Sequence, residues 1–258
     1  MKITLLGTGD SAGIPQIGCD CETCERHKRE GRERTRFSIL VENNSETILI
    51  DASPDLRFQF LREGIGSVDS VIFTHGHYDH YGGFGSFYRI IWGDLPIYGI
   101  ESVLDYVINQ QYGYLPFPEP RPVEEFEEFG VSGLRFKMLP VHHPPVESYG
   151  VVIRDEDRKV VITGDTSRKI PHKTLEEMRD PDLLVADAIV PSREFDNSFI
   201  EDRISDDRMN FADKHMTYKG ALDLSEELNA EETVMVHLSH YFREEHDELG
   251  RDGDVFEF

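Results

Sequence analysis

The chain has only three cysteines, one tryptophan and few lysines, and no long apolar run. No stretch approaches the roughly 18 apolar residues that a membrane-spanning helix needs, so no transmembrane segment is expected. The chain opens directly on Lys2-Ile3-Thr4-Leu5-Leu6 without a signal-peptide pattern, which points to a cytoplasmic protein. No linker, low-complexity run or internal repeat breaks the sequence, so residues 1–258 are read as one domain, long enough to bury a substantial core. Basic side chains are scarce too. Lys and Arg total 27 against 50 Asp and Glu, a formal charge of −23, and arginine outnumbers lysine more than two to one. The acids are spread along the chain rather than gathered in a tail. In molar salt the self-repulsion of such a surface is screened. The composition therefore implies a halophilic, archaeal source, which a stability maximum at low KCl would contradict. The same charge disfavours a large nucleic-acid partner, because neutralising phosphates needs a basic patch.

What the sequence does contain is concentrated chemistry. Phe73-Thr74-His75-Gly76-His77-Tyr78-Asp79-His80 follows the apolar run Ser70-Val71-Ile72. This reads as a buried strand whose end opens into a ligand-bearing turn. On an extended chain His75 and His77 fall on one side and can face one ion. Asp79 and His80 follow a bend and can face a second. Gly76 lets the backbone approach closely. All three cysteines form the knuckle Cys19-Asp20-Cys21-Glu22-Thr23-Cys24. In a cytosolic protein such clustering favours metal over disulfide. Three thiolates leave a tetrahedral zinc one ligand short, and histidine is the usual fourth. Gly7 to Gly13 is a glycine-rich loop without a Lys-Ser/Thr ending or dinucleotide spacing, so it reads as a turn near the active site.

The remaining pattern alternates strands and helices. Strands are expected at 2–6, 36–41, 47–51, 70–73, 95–99, 123–129, 134–141, 149–154, 159–163, 183–187 and 233–237. Helices are expected at 25–33, 54–63, 81–90, 101–112 and 218–228. The aromatic, proline-rich loop 112–118 suits either a substrate-pocket wall or ordinary packing.

His-x-His-x-Asp-His after a buried strand resembles the signature of the metallo-β-lactamase fold superfamily of binuclear metallohydrolases. The resemblance implies an α/β fold, an αββα sandwich of two mixed β-sheets packed face to face with helices outside. It also implies a later His, a bridging Asp and a final His. Leu139-Pro140-Val141-His142-His143 offers the first of these. Adjacent residues on an extended chain point opposite ways, so only one reaches the metals, and His143 is preferred. Val160-Val161-Ile162-Thr163-Gly164-Asp165 matches the bridging-Asp motif, and Thr233-Val234-Met235-Val236-His237 the last ligand. His240 is then left to complete a structural zinc site with Cys19, Cys21 and Cys24. Asp51 resembles the family's second motif, which supports the metal loop from behind. Asp187 reads as either supporting or merely structural.

The complete ligand set, the cysteine knuckle and the closing His-x-x-His together resemble the phosphoribosyl cyclic phosphate phosphodiesterases of the carbon–phosphorus lyase pathway, from Gly7 to about His240. Coenzyme-synthesis relatives share the knuckle. Asp213-Lys214-His215-Met216-Thr217 resembles a His-x-Thr motif whose His assists the leaving group. The resemblance thus implies a phosphoric diester hydrolase with two catalytic divalent metals, zinc or manganese, and one structural zinc. Its chemistry would be carried by His215 and Asp79 among the metal ligands His75, His77, Asp79, His80, His143, Asp165 and His237. Its partner would be a small phosphodiester such as 5-phosphoribosyl 1,2-cyclic phosphate. A ribonuclease Z-like nuclease and a non-catalytic metal-binding accessory protein are the alternatives, and thiol-ester or β-lactam hydrolysis also lies within the fold. A homodimer is compatible with the sequence, although no interface patch is legible.

Overall fold

The computed structural model describes residues 1–192, 213–243 and 246–258. Two mixed sheets pack against each other. The first has seven strands: β1 (Lys2–Gly7), β2 (Ser38–Asn43), β3 (Glu46–Ile50), β4 (Ser70–Ile72), β5 (Leu95–Gly99), β6 (Pro118–Pro122) and β13 (Val255–Glu257). Their spatial order is β13-β1-β2-β3-β4-β5-β6. The second has six: β7 (Glu128–Val131), β8 (Leu134–His143), β9 (Val146–Arg154), β10 (Lys159–Ile162), β11 (Leu183–Asp187) and β12 (Glu232–Val236). Its order is β12-β11-β10-β9-β8-β7.

Period-two alternation assigns the faces. Val160 and Ile162 of β10, Leu183 and Val185 of β11, and Val234 and Val236 of β12 join the core between the sheets. The intervening Val161, Leu184, Ala186 and Met235 face outward instead, onto Met178 of helix α5 (His172–Met178) and onto Ala221, Leu224 and Leu228 of helix α6 (Tyr218–Leu228). On the other side, Leu56 and Phe60 of helix α2 (Leu56–Glu63) cover the first sheet. This is the expected αββα sandwich, and its helices are amphipathic because each has one sheet to cover.

Several boundaries differ from the sequence reading. The first helix, α1, runs Glu22–Glu30, so it starts inside the cysteine knuckle and stops at Gly31, whose φ of 62° ends it. Residues 81–90 are not one helix. A short α3 (Tyr78–Tyr81) is followed, after Gly82 and Gly83, by a 3₁₀ turn at Phe84–Arg89, and a Cβ at Gly83 would collide with the Ser53 carbonyl. Of the expected 123–129 strand only the end is extended, as the start of β7 at Glu128, and a further strand, β6, precedes it at Pro118–Pro122. Helix α4 (Glu101–Leu104) continues as a π-helical segment, Asp105–Gln111.

The connections put the functional loops on one edge. β3 and β4 run parallel, as do β10, β11 and β12. β8 is antiparallel to β9, and β9 to β10, so β8 points the same way as β10. The C-terminal ends of β3, β4, β8, β10, β11 and β12 carry Asp51, His75, His143, Asp165, Asp187 and His237 respectively.

Candidate metal centre

Two donor groups meet at that edge. One is His75, His77, His143 and Asp165, and the other is Asp79, His80, Asp165 and His237; within each, the ligand atoms lie within 4.8 Å of one another. Asp165 belongs to both. Its Oδ2 lies 3.6 Å from His75 Nε2, 3.3 Å from His80 Nε2, 3.3 Å from His237 Nε2 and 3.9 Å from His143 Nε2. Asp79 Oδ2 is 3.5 Å from His237 Nε2 and 3.6 Å from His80 Nε2. The Nε2 atoms of His75, His80 and His237 are buried and have no hydrogen-bond partner. Buried polar atoms are normally paired. Bare ring nitrogens gathered round one carboxylate form a donor set that fits divalent cations.

The electrostatics agree. Burial, followed by the neighbouring His80, holds His75 well below the ordinary imidazole range. Burial lowers His143 to about 4. For His237, burial is outweighed by Asp165 and Asp79, and its pKa rises to about 9. For His80, burial is likewise outweighed by Asp165, Asp51 and Asp79. Burial would raise Asp165, but His237 and His80 hold it well below the usual carboxylate range. The carboxylates around His80 and His237 thus favour positive charge at this position.

Three of the imidazoles are set by a neighbour through Nδ1, whereas His237 Nδ1 has no hydrogen-bond partner. His80 Nδ1 lies 2.7 Å from Asp51 Oδ2, and Asp51 also accepts from Thr74 N at 2.9 Å and Thr74 Oγ1 at 2.6 Å. His75 Nδ1 is 3.1 Å from Thr74 Oγ1, and His143 Nδ1 is 3.0 Å from the Lys214 carbonyl. Fixing one ring nitrogen orients the other toward the metal position. Asp51 and His237 adopt φ of 58° and 60°, a conformation that non-glycine residues rarely take. Such strain concentrates at functional sites. Gly164, with φ 63°, precedes Asp165, and a Cβ there would meet the Tyr149 carbonyl at 2.6 Å.

His143 faces the cluster, 3.1 Å from His77 Nδ1, whereas His142 turns away to Ser167 Oγ at 2.9 Å. His215 stacks on His237 at 4.8 Å and touches the ring of His143 at 4.6 Å. Its Nδ1 is 2.8 Å from Asp187 Oδ2, which also accepts from Thr166 N at 2.9 Å. This decides Asp187, which sequence reasoning left open: it supports His215. Sequence reasoning missed Asp10. That carboxylate is buried beside His237 and Asp79, and burial raises its pKa to about 6. Its only signal was its place in the glycine-rich loop.

A separate group joins the ends of the chain. Cys19, Cys21 and Cys24 Sγ lie 3.2, 3.4 and 3.6 Å from His240 Nδ1. Three soft sulfurs and one imidazole in this arrangement suit a closed tetrahedral zinc.

Residues 46–238 match the Beta-lactamase superfamily domain. An octanoyltransferase of Porphyromonas gingivalis is 30% identical over 262 residues, spanning 96% of this chain and 48% of that protein. The chain thus spans about half the length of this curated relative. Among solved structures, a diphosphatase of the PhnP family superposes with TM-score 0.81 at 29% identity, covering 100% of this chain and 97% of that one. Zinc-bound PqqB from Methylobacterium extorquens superposes with TM-score 0.82 at 18% identity, covering 100% of both chains, a likeness of fold. With the matched domain covering most of the sequence and the two-sheet architecture in place, the chain belongs to the metallo-β-lactamase fold superfamily.

Proposed function

We propose that the protein is a binuclear metal-dependent phosphodiesterase that opens a small cyclic phosphodiester, with 5-phosphoribosyl 1,2-cyclic phosphate as the first candidate. The observation that carries this reading is Asp165, one carboxylate shared by two donor groups, with His215 braced by Asp187 beside it. Two divalent ions, zinc or manganese, would supply Lewis acidity toward the phosphoryl oxygens and a water acidified to a pKa of about 7.

The protein's own groups have distinct tasks. His75, His77 and His143 would hold one ion and Asp79, His80 and His237 the other, with Asp165 belonging to both donor groups. His215 gives a proton to the departing sugar oxygen as the P–O bond breaks. Asp187 fixes its tautomer and stabilises the charged ring. The products are a phosphate monoester and a free hydroxyl. The similar protein described as a PhnP-family diphosphatase supports phosphorus–oxygen chemistry on this scaffold. Cys19, Cys21, Cys24 and His240 would hold one structural zinc.

Phosphorus NMR of manganese-loaded protein in high salt tests the reading. Wild type should open the ring of 5-phosphoribosyl 1,2-cyclic phosphate, and His215→Ala should slow it by about 10²–10⁴-fold. An intact ring with bis(4-nitrophenyl) phosphate still cleaved would discard this substrate. No cleavage of either compound by fully metallated protein would overturn the phosphodiesterase reading.

A further inference from the structure

Beside His77 a cavity of about 360 Å³ opens to solvent. Val103, Tyr106 and Val146 give it mainly apolar walls, and Ser102 and Glu147 stand at its side. The walls are tied to the metal centre. Val146 is the strand partner of His143, and Glu147 that of His142. Tyr106 lies in the π-helical segment, a local distortion common at functional sites. Its ring packs edge-on against Tyr81 at 6.0 Å and lies over Gly76, where a Cβ would come within 2.8 Å of it. Glycine between the two ligand histidines is therefore what admits the tyrosine. Glu147 is held by a 2.7 Å hydrogen bond from Ser102 Oγ. Among the described residues no lysine or arginine lines this cavity, and Glu147 is its only carboxylate.

These features do not suit a second phosphate. We propose that this cavity is the subsite for the uncharged, hydroxyl-bearing sugar of the diester. Glu147 accepts a sugar hydroxyl, Tyr106 covers the apolar C–H face of the ring, and a further phosphate on the sugar is directed away from it. A carboxylate repels an anion and accepts strongly from a hydroxyl, whereas an aromatic face excludes water from the ring's apolar side. This inference rests on the phosphodiesterase reading.

The test compares 5-phosphoribosyl 1,2-cyclic phosphate with ethylene phosphate, a cyclic diester that has no sugar, in wild type, Tyr106→Ala and Glu147→Gln. In each variant the ratio of kcat/KM for the sugar diester to that for ethylene phosphate should fall about tenfold, mostly through KM, by loss of a charge-assisted hydrogen bond in Glu147→Gln and of the apolar ring contact in Tyr106→Ala. A ratio unchanged in both variants would overturn the subsite. If metallated wild type opens neither ring, the phosphodiesterase reading fails on its own. Saturation-transfer NMR with methyl β-D-ribofuranoside then decides the subsite. Transfer to the sugar protons that is lost in Tyr106→Ala upholds it, and no transfer in wild type overturns it.

Discussion

His80 and Asp51 are both fully buried, and the 2.7 Å contact between His80 Nδ1 and Asp51 Oδ2 lies behind the metal loop rather than in it. Asp51 thereby commits the other nitrogen, Nε2, to the Asp79, His80, Asp165 and His237 position. An amide at residue 51 could still accept from Thr74 N, but it would place an N–H or a neutral oxygen against His80.

Asp51→Asn should therefore weaken metal binding at that position by about 10–100-fold, with the other position less affected. Metal retained after dialysis against a graded chelator measures this. Wild-type retention in the variant would show that Asp51 is only a loop anchor.

The cysteine knuckle should behave independently of the catalytic ions. Cys24 is fully buried, and it joins His240 from the far end of the chain. Asp165→Ala should keep one tightly held zinc. Cys24→Ser should lose it and unfold at least about 5 °C lower, since a structural zinc stabilises the fold directly and each kcal/mol shifts Tm by about 2–4 °C at this size. Full zinc content in Cys24→Ser would contradict the assignment.

Asp10 makes a prediction about pH. Its folded pKa of about 6 lies above the ordinary value of 3.8, because burial disfavours the charged form. The fold therefore carries a penalty that grows as pH rises from 3.8 through 6 and persists above. Asn at residue 10 keeps an oxygen for the N–H groups of Ala12 and Gly13, which Asp10 Oδ1 accepts at 3.0 and 3.2 Å. In protein freed of the catalytic ions, Asp10→Asn should be more stable by about 1–3 kcal/mol at pH 8. The gain should vanish at pH 4. Denaturant unfolding at the two pH values checks both points, and equal effects at both would refute the linkage.

The candidate ligands were legible because they follow buried apolar runs, so their strands, their order and their shared edge could be read together. His75 to His80, Asp165 and His237 all have that context. Features set by tertiary neighbours were not legible. β6 carries Pro118, Pro120 and Pro122, which argue against a strand. It is nonetheless an edge strand, and alternate prolines can leave their missing N–H groups on the side away from β5. The partner of Asp187 is 28 residues away, and no local pattern announces it. The π-helical segment that places Tyr106 has no simple period to detect. The helix expected at 25–33 forms but lies three residues earlier, because Gly31 ends it, and the one expected at 81–90 is broken at Gly82 and Gly83; hydrophobic spacing sets neither end.

The most direct test of the central claim is phosphorus NMR of the reaction in ¹⁸O-labelled water, using metal-loaded protein and 5-phosphoribosyl 1,2-cyclic phosphate. The account predicts ring opening with one ¹⁸O on the product phosphate and none on the released sugar hydroxyl, because water attacks phosphorus and a P–O bond breaks. Label in the sugar hydroxyl, or an unopened ring with both metal positions filled, would contradict it.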